Sequence, residues 1–455
     1  MSGILVRRAE VDGVLVDVRV RGCAVVEIGS ELRRDTEECL EADGAALIPG
    51  LHDHHIHLLA AAAADSSIQL GPPGVMNEAQ FAVDLQAAAQ RVLPGEWVRG
   101  VGYHESVAGD LDRQRLDALV PDRCVRVQHR SGALWTLNTQ ALRAVGLDSS
   151  SGRLFGADEL LRTRLADATT PSLRPLGRKL ASFGVTGVTD ATPSSDISSV
   201  ELLARGVAEG SLPQRLTVMG GVELADARPM SEVRWGPVKF VIADHALPTL
   251  DEVRSAIERA HQHGRPVAIH CVTAVALALA LAAWLDVGTR DGDRIEHGAV
   301  ISPEAAVQIA SLGLTVVTQP GFVASRGDRY VVEVDTDELP YLYPCASLLR
   351  RAVRVGGSTD APFGDVDPWR AMDAAMTRRS ASGAVIGYDE RVGALRALEL
   401  FLTSAENPGG APRRVALGEV ADLCLLDRPT RAALAAPSAS HVDATIIDGR
   451  IVYRR

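Results

Sequence analysis

The chain is poor in lysine. Of its 47 basic residues only Lys179 and Lys239 are lysine, which leaves 45 arginines. A guanidinium stays protonated, so arginine cannot stand in where a side-chain amine must lose its proton and react. The two spared positions are therefore worth following. Cysteine is also sparse: Cys23, Cys39, Cys124, Cys271, Cys345 and Cys424 are scattered with no CxxC pair, which speaks against a disulfide framework or a zinc knuckle and for reduced, packed thiols. Long apolar runs are missing too. The longest, Ala274 to Leu285, falls short of the ~20 residues a bilayer needs and reads as a buried helix. The opening MSGILVRRAEVDG has no apolar stretch of signal-peptide length, so a cytoplasmic protein is expected. Positive charge is in deficit, 47 Lys+Arg against 58 Asp+Glu for a net of −11, which removes any global electrostatic reason to seek nucleic acid or anionic lipid. The partner expected is a small-molecule substrate, and self-association is left open.

What is present is pattern. Near the start, Val14, Val16, Val18 and Val20 alternate with Leu15, Asp17, Arg19 and Arg21, the period of a half-buried strand. The end has the same character in VADLCLLD (420–427) and DATIIDGRIVYRR (443–455), with a turn at Gly449. Residues 1–49 and 406–455 are therefore paired as one small discontinuous β-sandwich domain. Between them, apolar runs alternate with helical stretches, as in repeated βα units. Candidate strands lie at 46–57, 124–129, 185–191, 215–220, 238–242, 265–271, 293–299, 314–320 and 353–361, and helices at 250–264 and 302–313, the latter capped by Ser302. The expected fold class is α/β, a distorted (β/α)8 TIM barrel over residues 50–405. Nine strands are one too many for eight places, so one of those between the first and 238–242 lies in an insertion or outside the barrel. A helical insertion is expected at about 60–122.

Histidine is the selective residue. His52, His54, His55 and His57 fall within six residues at the end of an apolar run. Residues two apart on a strand share a face, so His55 and His57 can converge on one ion while His52 and His54 lie on the opposite parity. Four more ligand-type side chains sit at the C-terminal ends of later strands: Lys239, His270, His297 and Asp360. In a parallel barrel those ends meet at one mouth, where catalytic residues gather. Packing alone does not explain six such groups at one rim, because burying ionisable groups without a counter-ion is costly.

These segments together resemble the amidohydrolase superfamily, and within it the amidohydrolase family 3 branch of metal-dependent hydrolases similar to N-substituted formamide deformylase. The resemblance runs from IPGLHDHHIH (48–57) through PVKF at Lys239, PVAIHC at His270, RIEHGAV at His297, VVTQPGF at Gln319 and GSTDAPFGDVDPW (357–369) to GEVADLCLLD (418–427). It implies two divalent metal ions, with zinc favoured over manganese or iron by the ligand types. His55 and His57 would hold the more buried ion with Asp360, His270 and His297 the second, and Lys239, carboxylated by CO2 to a carbamate, would bridge them. It implies hydrolysis of a C–N bond (an amide, N-formyl, N-acyl or cyclic amide) by a metal-activated hydroxide, with Asp360 moving the proton.

Several positions depart from the family pattern. Ser131, Gly132 and Ala133 replace the usual Asp-Gly-His, Asp244, His245 and Ala246 replace Asp-Gly-Ser, and the Gly-Asp expected after His270 is absent. These changes leave the ligands intact and put any borrowed substrate in doubt. Pocket-lining candidates are His129, Arg130, Trp135, His245, Gln319 and Tyr343, of which His129, His245 and Gln319 are taken as substrate contacts. Two other functions compete. A mononuclear deaminase of the same superfamily usually carries Glu three residues after the fifth-strand histidine, where this chain has Thr273. A non-catalytic scaffold would have lost ligands, and this chain keeps all six.

Overall fold

The computed structural model describes residues 3–65, 67–92, 95–157, 160–161, 164–165, 171–226, 228 and 230–455. Its contacts divide the chain into two compact units, one of Met1–Leu58 with Leu173–Arg455 and one of Leu59–Ser172.

The first unit is built around two parallel sheets. Leu51–Ile56, Val185–Asp190, Arg215–Val218 and Val233–Trp235 form one. Val238–Val241, Val267–Cys271, Arg294–His297, Thr315–Thr318 and Arg354–Gly357 form the other. Strands such as Val185–Asp190 and Thr315–Thr318 are buried at every residue, which is why they read as continuous apolar or small runs rather than as alternation. Backbone hydrogen bonds also run between the two sheets. Lys239 N–H donates to the Gly220 carbonyl at 3.0 Å, while Asp360 N–H and His57 N–H donate to the carbonyls of His55 and Ala361, each at 2.9 Å.

Helices connect the strands where the caps dictate. Leu250–Gln262 begins at Thr249, whose hydroxyl accepts from Glu252 N–H while the Glu252 carboxylate answers back to Thr249 N–H. Pro303–Ser311 begins at Ser302, with proline in its first turn. The apolar run at 274–285 is the helix Ala274–Val287, which buries Leu277, Leu281 and Trp284. Among the described residues no helix is long and apolar enough to cross a membrane. All six cysteines are free.

Both chain ends fold as β-structure. Gly3–Val11, Val14–Arg21, Ala24–Gly29 and Glu38–Glu41 make one four-stranded sheet, and Leu47–Pro49, Leu423–Leu426, Val442–Ile447 and Arg450–Arg454 another. They bury one common core, in which Ile4, Val6, Val18 and Val20 cluster with Leu423, Leu425 and Ile446. The alternation at 14–21 is incomplete, since Asp17 and Arg19 are buried as well. The chain that follows covers their face: Asp17 accepts Leu32 N–H at 2.8 Å, and Arg19 pairs with Glu37 at 3.2 Å.

The second unit is a mixed five-stranded sheet in the order Arg153–Phe155, Leu134–Leu137, Val125–His129, Val98–Tyr103, Ile68–Gln69. Helix Glu78–Arg91, capped by Asn77, packs Phe81 and Leu85 into a core with Leu70, Val98 and Val127. The stretch read as a helical insertion thus carries strands as well, and its unit runs on to Ser172. Of the nine candidate strands, 124–129 belongs to this sheet and the other eight to the two parallel ones. Val233–Trp235, too short and polar to stand out in the sequence, joins the first of those.

The turn at Gly449 has φ +67°, and a Cβ there would meet the Gly22 carbonyl oxygen at 1.8 Å. Both the backbone conformation and the space demand glycine. Gly449→Ala is expected to destabilise the protein by about 2 kcal/mol or more, read as a lowered urea midpoint with an unchanged slope.

Candidate metal centre

Five strand ends converge. His55 and Ile56 close the first parallel strand, so His55 and His57 turn to one side while His52 and His54 turn away, as the two-residue period requires. His52 Nε2 meets Thr189 Oγ1 at 2.9 Å and His54 Nε2 meets Thr403 Oγ1 at 2.8 Å. On the other face, Asp360 Oδ1 lies 3.4 Å from His55 Nε2 and 3.1 Å from His57 Nε2. His297 Nδ1 lies 3.9 Å from Asp360 Oδ2. The His297 ring centroid is 4.8 Å from that of His55 and 4.4 Å from that of His270. Lys239, second residue of its strand, is buried with them, and its charge bears on His55, His270 and His297.

Among the described residues, three buried atoms at this meeting point have no hydrogen-bond partner: His55 Nε2, Asp360 Oδ1 and Lys239 Nζ. Buried polar atoms are nearly always paired. Two imidazoles and a carboxylate with their ligand atoms within 4.8 Å of one another are a donor set that fits a divalent cation.

The outer nitrogens of the rings are tied down. His55 Nδ1 pairs with Glu296, which also accepts from Arg294 Nε at 2.5 Å, and Arg294 Nη2 donates to the His54 carbonyl at 3.2 Å. His57 Nδ1 contacts Thr192 Oγ1 at 3.1 Å. His297 Nδ1 contacts Gln319 Oε1 at 2.8 Å, and Gln319 Nε2 donates to Ser358 Oγ at 2.9 Å. With Nδ1 as donor in each pair, Nε2 keeps its lone pair for the centre. Asp53 clasps the strand that carries Asp360: its carboxylate accepts from Thr359 N–H at 3.1 Å, from the Thr359 hydroxyl and from His55 N–H at 3.2 Å.

Burial sets the charge state. Desolvation holds His55 and His297 well below the usual imidazole range, with neighbouring cationic groups adding to it, and brings His270 down to about 3. Neutral imidazole is the metal-binding form. Desolvation also lowers Lys239, against the pull of Glu296 and Asp360. It raises Asp53 to about 7, against its hydrogen bonds to Thr359 and His55. Two of the six residues, His297 at φ 70° and Asp360 at φ 55°, lie in the left-handed region that only glycine adopts freely. Such strain collects where side-chain aim matters more than backbone comfort.

The remaining sequence candidates are dispersed. Gln319 is buried and spends both ends of its amide on protein. Tyr343 is buried beside the Tyr330 hydroxyl at 3.3 Å, and burial pushes its phenol up. His245 is exposed in a turn closed by the Ala243–Ala246 bridge. His129, Arg130 and Trp135 belong to the 59–172 unit, where His129 Nε2 lies 3.1 Å from Glu105 and Trp135 carries Arg99 and Arg126 over its ring. Sequence reasoning passed over Glu296, Asp53 and Thr192. Glu296 was legible in RIEH as a charged residue on a buried strand, and Asp53 as the acid inside the histidine run. Thr192 carried no signal.

Comparison with known proteins follows from this geometry. The sequence profile of the amidohydrolase family matches residues 38–453. An N-substituted formamide deformylase of Arthrobacter pascens is 24% identical over 526 residues, covering 100% of this chain and 95% of its own. A putative amidohydrolase, YtcJ, of Bacillus subtilis is 24% identical over 493 residues, covering 92% and 91%. Among solved structures, an uncharacterized metal-dependent hydrolase from Pyrococcus horikoshii superposes with a TM-score of 0.74 at 18% identity, over 94% of this chain and 98% of its own.

Removing the acceptor behind a ligand should loosen the centre without unfolding it. Thr192→Val and Gln319→Leu are each expected to weaken metal retention about 10–100-fold, measured by competition with a chelator at matched circular dichroism.

Proposed function

Because the chain belongs to the amidohydrolase family, we propose that it is a metal-dependent hydrolase of a carbon–nitrogen bond, acting on an amide, N-formyl, N-acyl or cyclic amide substrate. The observation that carries this reading is the trio of unpartnered buried atoms, His55 Nε2, Asp360 Oδ1 and Lys239 Nζ, among neutral histidines. His55, His57 and Asp360 would hold one ion and His270 and His297 a second, with Lys239 between them as a carbamate. Zinc suits the nitrogen and oxygen donors. Bound there, the ions supply acidity to a water and polarise the carbonyl of the substrate.

The rest of the work falls to the chain. Asp360 faces both His55 and His57, which supports a role in which its carboxylate would accept the proton of the attacking water and return it to the leaving nitrogen. Glu296, Thr192 and Gln319 hold three imidazoles in one tautomer. For Gln319 this gives an orienting role toward His297, which its amide oxygen contacts while its Nε2 donates to Ser358. The strands carrying these residues would close into the distorted eight-stranded barrel, and the two sheets of the chain ends would make the small β domain beside it. The free cysteines suit a reducing cytoplasm.

The reading is tested by assaying N-formyl and N-acyl amines, cyclic amides and aminopyrimidines before and after chelation. Turnover of an amide class that is lost with the metal and restored by zinc is expected. Release of ammonia from aminopyrimidines alone would instead identify a deaminase. Asp360→Asn keeps an oxygen ligand but cannot take a proton, so kcat is expected to fall about 10²–10⁴-fold with at least one ion retained. Lys239→Ala is expected to lose one or both ions, together with the carbamate carbon signal that ¹³C-bicarbonate gives in the parent.

A further inference from the structure

A second meeting of ligand-type side chains lies in the 59–172 unit. Strands Val98–Tyr103 and Val125–His129 run parallel, with Tyr103 opposite His129. Each leads into the same three-residue design: His104-Glu105-Ser106 and His129-Arg130-Ser131. His129 Nε2 lies 3.1 Å and His104 Nε2 3.7 Å from the same oxygen, Glu105 Oε2. The two imidazoles stack with centroids 5.8 Å apart and planes inclined by 29°. One ligand atom from each of the three residues lies within 4.8 Å of the others. Around a tetrahedral zinc with bonds of about 2.0–2.1 Å, neighbouring ligand atoms stand roughly 3.3 Å apart, so both Glu105 distances bracket that edge.

The serines complete the arrangement. Ser106 Oγ is 2.8 Å from His104 Nδ1, and Ser131 Oγ is 2.7 Å from His129 Nδ1. Without metal, each Nδ1 accepts the serine N–H, at 3.2 and 3.1 Å, and His129 Nε2–H donates to Glu105. With metal, the proton would move to Nδ1 and be donated to the serine hydroxyl, which frees the Nε2 lone pair without a net change in charge and gives up the bond from the serine N–H. The ligand side chains keep 19%, 43% and 12% of their exposure for His104, Glu105 and His129, so an ion can reach them from water.

We propose that His104, Glu105 and His129 bind a zinc ion of their own, separate from the candidate catalytic centre. Its fourth position is left to water. The ion ties together the ends of two neighbouring strands and the short helix Glu105–Ala108. His129 is then a metal ligand, a different role from the substrate contact expected of it.

The test is zinc content and competitive titration with a chromophoric zinc chelator, on the full chain. The parent is expected to hold one more zinc per chain than His129→Gln or Glu105→Gln, the latter an exposed change that leaves the fold intact. His55→Gln is expected to keep that ion. Ser106→Ala with Ser131→Ala is expected to keep it with about 10–100-fold weaker affinity. Equal zinc content and affinity in the parent and in both ligand variants would overturn the proposal and leave a hydrogen-bonded clamp. Absence of amide turnover in the parent, with this ion bound, would count against the functional reading above and not against this site.

Discussion

A buried polar atom without a partner costs about 1–3 kcal/mol, and this fold gathers three of them at one point. Left without a ligand, His55 Nε2, Asp360 Oδ1 and Lys239 Nζ would together cost several kcal/mol against a total stability that is typically about 5–15 kcal/mol. A domain keeps such a debt only where a cation or a reaction makes use of it. Much of the surrounding structure follows from holding these atoms close, dry and correctly protonated. The parallel strands bring them to one rim, and burial keeps the imidazoles neutral.

Holding them still is the work of a second layer. Asp53 spans from His55 N–H to Thr359 and so locks the first parallel strand to the last, immediately before Asp360. That clasp, with Asp360 N–H on the His55 carbonyl, keeps Asp360 in a left-handed conformation it would otherwise leave. Glu296 serves two masters: it orients His55 and neutralises the fully buried Arg294, which in turn reaches the carbonyl of His54. Breaking a buried pair of this kind strands a charge, so the layer behind the ligands is as constrained as the ligands themselves.

The sequence displayed the ligands more openly than their supports. Histidines two apart at the end of an apolar run, and acids or lysine at later strand ends, stand out because polar residues are improbable there. The start of helix Pro303–Ser311 was legible from its cap, since Ser302 accepts from a specific N–H group, whereas both helices read from sequence as 250–264 and 302–313 end two residues earlier. What stayed hidden depends on contacts between distant segments. Thr192 is an ordinary residue until the fold brings it to His57, 135 residues away along the chain, and Gln319 stood out in the sequence without its contact to His297 being legible. The sheet of the 59–172 unit was obscured because its strands are short and interleaved with helices, and Val233–Trp235 carries a charge in its middle.

The shared core of the two chain ends has a consequence for how the protein is made. Val6, Val18 and Val20 find their partners in Leu423, Leu425 and Ile446, which leave the ribosome some four hundred residues later. At ~5–20 residues per second that is a wait of roughly 20 to 80 seconds. Through that interval the first sheet presents an apolar face with nothing to cover it, while the whole parallel core assembles behind it. That face is therefore covered only once the strands Leu423–Leu426 and Val442–Ile447 have emerged to complete the shared core.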